Sequence, residues 1–317
     1  MKVVTLPGSV EERTFEGVVR EAALQPDTRL LVDARHVRWV DPYGMLGLLA
    51  LGTAAARTGE RPALRLPENH EVLSYLDRMR FFQHAEPLFE LHGGAGRPHA
   101  EQGHSDVLLE VTPIRSHDDV HGMVDRVNER GLTILTRQLQ YPAREAFQFS
   151  VILSEVCQNI IEHAEADGWV ATQTYTWTKR LGRKVVVIAV MDMGIGFRRS
   201  LAGAAPGQDT AGWDDAAALE AAFMHGRTRF HDPGRGQGIQ QIRRQVGRWG
   251  GRVSIRSGTA RIADVPDWDD AVRQERGLPF LPGAQIGIVL PARVPLEDGS
   301  GATEGGAHGR SPARAAS

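Results

Sequence analysis

Up to Leu91, short apolar runs alternate with amphipathic segments. Lys2–Leu6 is a short strand, and Ser9 an N-cap with Glu11 and Glu12 in the first turn of a helix through Gln25. Leu30–Asp33 is a buried strand, Val37–Val40 approaches a second sheet edge, and Asp41-Pro42-Tyr43-Gly44 turns the chain. Met45–Arg57 is helical with Leu46, Leu49 and Ala50 on one face, until Gly59 stops it. Ala63–Leu66 is a strand and His70–Phe82 a helix. Strand and helix in alternation predict an α/β layer.

A polar, glycine-rich stretch from His92 to Asp106 follows and has the composition of an exposed linker. Beyond it, Val107–Val111 is strand-like, and His117–Arg130 carries Val120, Met123, Val124 and Val127 on one side of a helix. Phe147–Ala164 has two unlike faces. Leu153, Val156, Cys157, Ile160, Ile161 and Ala164 form an apolar arc, and Glu155, Asn159 and His163 line up along its edge. A carboxylate there can take a proton, and an amide oxygen can complete a magnesium shell.

Two further stretches give that row a context. The β-branched run from Val185 ends in Asp192, and Gly194 and Gly196 break it. Gly234, Gly236 and Gly238 then lead through Ile239 into a helix, a pattern that lets backbone N–H groups close on an anion. The order E-x-x-x-N, strand–D-x-G-x-G, G-x-G-x-G–helix resembles the ATP-binding α/β sandwich (Bergerat fold) of gyrase, Hsp90, histidine kinases and MutL. Within that group, E-x-x-x-N-x-x-x-H-A is most similar to the anti-sigma serine kinases. The resemblance runs from about residue 107 to 293.

The resemblance implies ATP and magnesium as ligands and assigns roles. Asn159 would complete the magnesium shell, Glu155 would act as general base, and His163 would be a further nucleotide-binding residue. Asp192 would accept from the adenine amine, where guanine presents an acceptor and would leave a buried carboxylate unpaired. Gly194 and Gly196 would let the chain approach the base. Gly234, Gly236, Gly238 and Ile239 would line the phosphates, with Arg227, Thr228 and Arg235 from the lid as candidates for the γ-phosphate. Ala284 departs from the family, where a threonine often stands. The segment between Ser257 and Gly283 has no family counterpart, and its Trp268, Leu278, Phe280 and Leu281 suggest a packed excursion or a partner surface.

The first 91 residues resemble the STAS domain of anti-sigma-factor antagonists: a strand ending in Asp33, the loop Asp41-x-x-Gly44 before a helix, and a strand–helix unit after it. The antagonists carry a phosphorylated serine just before the loop glycine, and here that place holds Tyr43, expected to be a loop aromatic on the domain surface.

Bulk properties narrow the setting. A chain of 317 residues suits two domains, and its formal charge of −2 offers no electrostatic argument for nucleic acid or an anionic membrane. A single cysteine suits a reducing compartment, and the start lacks the apolar core of a signal peptide, so a cytoplasmic protein is expected. Residues 294–317 lack core-forming side chains and are expected to be disordered. The expected function is an ATP- and magnesium-dependent regulator controlling a protein partner (a sigma factor, a STAS antagonist or another regulator), with a homodimer among the assemblies allowed. A non-catalytic, ATP-gated binding module is the alternative.

Overall fold

The computed structural model describes residues 1–94, 108–202, 213–227 and 238–295, without the side chains of residues 130, 131 and 163. Among the described residues the chain is mixed α/β and builds three sheets, of four, seven and two strands.

The first part runs β1 (Lys2–Thr5), β2 (Ser9–Val10), α1 (Glu12–Ala22), β3 (Leu30–Asp33), β4 (Trp39–Val40), α2 (Pro42–Thr58), β5 (Ala63–Arg65), α3 (His70–Arg78), α4 (Phe81–Ala85) and β6 (Glu90–His92). Strands β1, β3, β5 and β6 form one parallel sheet in that order, and β2 pairs with β4 apart from it. Local expectations shift at several points. Ser9 pairs with Trp39 instead of capping, and Glu11 caps α1 through a reciprocal box with Thr14. Asp41 to Gly44 is no turn. Asp41 is the N-cap of α2, its carboxylate accepting from Gly44 N at 2.8 Å, and Pro42 takes the first helical position, where its fixed φ fits. The helix expected over His70–Phe82 breaks at Arg80, which is left-handed at φ 57°.

The second part begins with β7 (Leu109–Ile114), α5 (His117–Thr133) with a π-helical turn over Ile134–Gln138, and α6 (Ala143–Asn159) with another over Ile160–Ala164. Then come β8 (Gly168–Trp177), β9 (Arg183–Asp192), α7 (Gly196–Ala202), α8 (Asp215–Phe223) and α9 (Gly238–Arg248). Strands β10 (Arg252–Gly258), β11 (Ala260–Asp264), β12 (Gln274–Glu275) and β13 (Leu281–Pro291) close the chain. They form a seven-stranded antiparallel sheet in the order β12-β11-β10-β13-β9-β8-β7.

Strand alternation gives that sheet two faces. Val186, Ile188 and Val190 join the core made with α5, α6 and α9, the front. Ala189 and Met191 face the rear and join, with Met193 and Leu281, the core of the first part. Helix α2 lies between. Its run from Pro42 to Leu51 is buried throughout, as a helix apolar on all sides must be.

Charge reinforces this docking. Glu12 on α1, buried, accepts from Arg252 Nη2, from Ser254 Oγ at 2.6 Å and from Arg261 Nη1 at 3.1 Å. Glu16 accepts from Arg256 Nε at 2.6 Å, and Arg13 donates to Asp269 at 2.7 Å and Asp270 at 2.6 Å. Arg261, Asp269 and Asp270 belong to the segment between Ser257 and Gly283, so that segment is the clamp on which α1 sits. Its Trp268 packs edge-on against Trp177, with Arg180 over the Trp177 ring at 4.4 Å. Among the described residues no helix is long and apolar enough to cross a membrane.

Candidate functional site

A cleft opens on the front of the seven-stranded sheet, where β9 ends and β13 begins beneath α6 and α7. Val190, Ile286, Ile160, Leu201, Phe197 and Ile239 give it apolar walls, and Asn159, Asp192 and Arg227 are its main polar features.

Asp192 is 7 % exposed. Its Oδ1 accepts from Gly194 N at 2.9 Å and Ala284 N at 3.3 Å, which leaves Oδ2 for the cleft. Burial pushes this carboxyl up to about 6, and the two backbone donors hold it back from going higher. Close approach of other chain segments requires the neighbouring glycines. A Cβ on Gly194 would lie 1.9 Å from the Ala164 carbonyl, and one on Gly283 would lie 2.0 Å from Asp192 O. Gly196, at φ +69°, is tied in through Ser257, whose Oγ accepts from Phe197 N at 3.2 Å and donates to Gly283 O at 2.8 Å.

At the other end of the cleft, Asn159 stands where α6 passes into its π-helical turn, a distortion common at functional positions. Its Nδ2 donates to Glu155 O at 2.9 Å, so the amide oxygen is the atom left to accept or to ligate. Glu155 is half-buried, and its carboxyl is raised above its ordinary value, first by burial and then by Glu162. Gly238, the first residue of α9, sits against it: a Cβ there would lie 2.8 Å from Glu155 Oε2 and 3.7 Å from Asn159 Nδ2. The positive end of an eleven-residue helix therefore meets this acid–amide pair.

Of the residues singled out from sequence, Glu155, Asn159, Asp192, Gly194, Gly196, Arg227, Gly238 and Ile239 thus converge on one cleft and its rim. The backbone of His163 lies in the π-helical turn beside them. Thr228, Gly234, Arg235 and Gly236 lie outside the described residues. The sequence reading does not single out Ser257 or Gly283 as residues of the site. Cys157 lies fully buried, its thiol pushed up by burial.

Tyr43 is not a surface aromatic. It is 3 % exposed, packs edge-on against Phe15 at 6.0 Å, and stands over Gly287 on the rear of the sheet. Burial raises its phenol well above the usual range.

No protein-family model matches the chain, and no curated protein matches it. Among solved structures, the mycobacterial sensor histidine kinase MprB is matched at 17 % identity and a TM-score of 0.26, over 58 % of this chain and 99 % of that one. A likeness that slight carries neither fold nor function.

Proposed function

We propose that this chain is an ATP- and magnesium-binding signalling regulator of the anti-sigma serine-kinase type, acting on a protein partner. The observation that carries it is Asp192, a buried carboxylate with one oxygen held by two backbone N–H groups and the other toward an apolar cleft. That arrangement fits a flat heterocycle bearing an amine. Asn159, with its oxygen free to ligate and the N-terminus of α9 close by, fits a magnesium–phosphate group, for which one protein oxygen is an ordinary share. Glu155 would orient the attacking hydroxyl and accept its proton, a role to which a raised pKa is suited.

Calorimetry with MgADP tests the reading. Asp192→Asn is expected to weaken binding at least about tenfold, on the order of 1.4 kcal/mol. Wild-type affinity should also fall as pH drops through about 6, because the amine needs the ionised carboxylate. Equal affinity of both proteins would reject an adenine site here.

The alternative, a non-catalytic ATP-gated module, gains support from Tyr43. The place where an antagonist carries its acceptor serine is buried against the rear of the sheet, so the first part is no substrate in cis. On this reading it resembles a STAS domain turned into a fixed partner, and any phosphoryl acceptor lies on another protein.

A further inference from the structure

Met193 and Gly194 share one peptide group, and both of its polar atoms are engaged. The carbonyl accepts from Arg57 Nη1 at 2.8 Å, and the N–H donates to Asp192 Oδ1 at 2.9 Å. A trans peptide is planar and its C=O and N–H point in opposite directions, so fixing one aims the other. Arg57 is on the last turn of α2, in the other layer of the molecule.

The surrounding packing leaves this peptide only one loose coordinate. The Met193 side chain is 3 % exposed and Leu281 fully buried, both in the core shared with α2, so the loop is anchored from the rear. On the cleft side Gly194 abuts the Ala164 carbonyl, and Ile195 N donates to that carbonyl at 3.0 Å, so the loop cannot retreat. Rotation of the Met193–Gly194 peptide remains, and a glycine permits it at low cost. A charged donor on the carbonyl opposes that rotation more strongly than a neutral one.

We propose that Arg57 is a positioning residue of the cleft: through the Met193–Gly194 peptide it aims the Gly194 N–H at Asp192 and so fixes the orientation in which the carboxylate meets the base. This rests on the adenine-reading role given to Asp192 above. Arg57 is then a specificity determinant for adenine, supplied from outside the sheet that forms the site. It also makes docking of the first layer and recognition of the base a single device. Arg57 is an exposed residue whose neighbours include Val19, Leu24 and Phe280 along a surface groove, so truncating it leaves both cores packed.

The test uses the full chain with MgADP and MgGDP as probes, titrated into wild type, Arg57→Met, Arg57→Lys and the control Arg29→Met. Arg29 pairs with Glu90 in the same layer, away from the cleft. Arg57→Met should bind ADP about tenfold more weakly with GDP unchanged, so that discrimination between the bases contracts. Arg57→Lys should recover part of the loss, and Arg29→Met should match wild type. Unchanged ADP affinity in Arg57→Met overturns the role of Arg57 while the adenine site stands, and so does an equal loss for both nucleotides. A wild type that binds neither nucleotide overturns the adenine site and this role together. Where Arg57→Met does not fold, hydrogen exchange on the wild type decides. MgADP slowing exchange in residues 53–59 together with 191–196 supports the coupling, and slowing confined to 191–196 refutes it.

Discussion

Tyr43 and Gly287 meet on the rear face of the seven-stranded sheet, where a Cβ on Gly287 would lie 3.1 Å from Tyr43 Cδ2. Ile286, one residue earlier, lines the cleft on the front. Adjacent strand residues point to opposite faces, so the thickness of the sheet separates Tyr43 from the cleft that Asp192 and Asn159 line.

Phosphoryl transfer to that position within one molecule is therefore excluded on distance alone, since a misplacement of about 1 Å already costs roughly a hundredfold. After incubation with MgATP, mass spectrometry is expected to find no phosphate on Tyr43, nor on the serine of Tyr43→Ser. Modification of either at a rate independent of protein concentration would contradict the docked arrangement.

Glu155 and Asn159 should separate by phenotype although they share a helical turn. Glu155→Gln is expected to keep MgATP affinity within about twofold and to lose turnover by a hundredfold or more, the range of a positioned general base. Asn159→Ala is expected to remove the magnesium dependence of ATP binding instead. Calorimetry with and without the cation, beside a phosphate-release assay, distinguishes them. Wild-type turnover by Glu155→Gln would favour the non-catalytic module.

Glu12 tests the seam between the layers. Glu12→Ala removes the carboxylate bonded to Arg252, 3 % exposed, which keeps only Asp269 at 3.4 Å, and one of the two bonded to Arg261, 8 % exposed, which keeps Glu275. Breaking a buried pair from one side costs about 3–5 kcal/mol. Urea unfolding followed by tryptophan fluorescence should record a loss of that size. A loss under about 1 kcal/mol would mean that these charges are as well hydrated as a surface pair.

Much of the cleft was legible in the chain because its parts are local. The i, i+4 spacing of Glu155 and Asn159 on one helix, the β-branched run into Asp192, and glycines at Gly194 and Gly196 are each written within a dozen residues. What local pattern left open was orientation. Gly283 and Ser257 hold the Asp192 loop from strands brought alongside by antiparallel pairing of β13 with β9 and β10, and no nearby residue announces it.

The sequence of α2 by itself determined that this helix is buried on almost every side, for PYGMLGLLALGTAAA has no polar face. Leu46, Leu49 and Ala50 mark only one buried face, because a periodicity states how much surface must be covered and not by what. Only the tertiary structure decided that the cover is a first layer on one side and the rear of a second sheet on the other. The same holds for Glu12, Arg252 and Arg261. Singly, each is a charge expected in water, since burying it alone would cost several kcal/mol. Bonds between residues 240 and 249 apart in the chain reverse that, by presenting each charge with its partner as it leaves solvent.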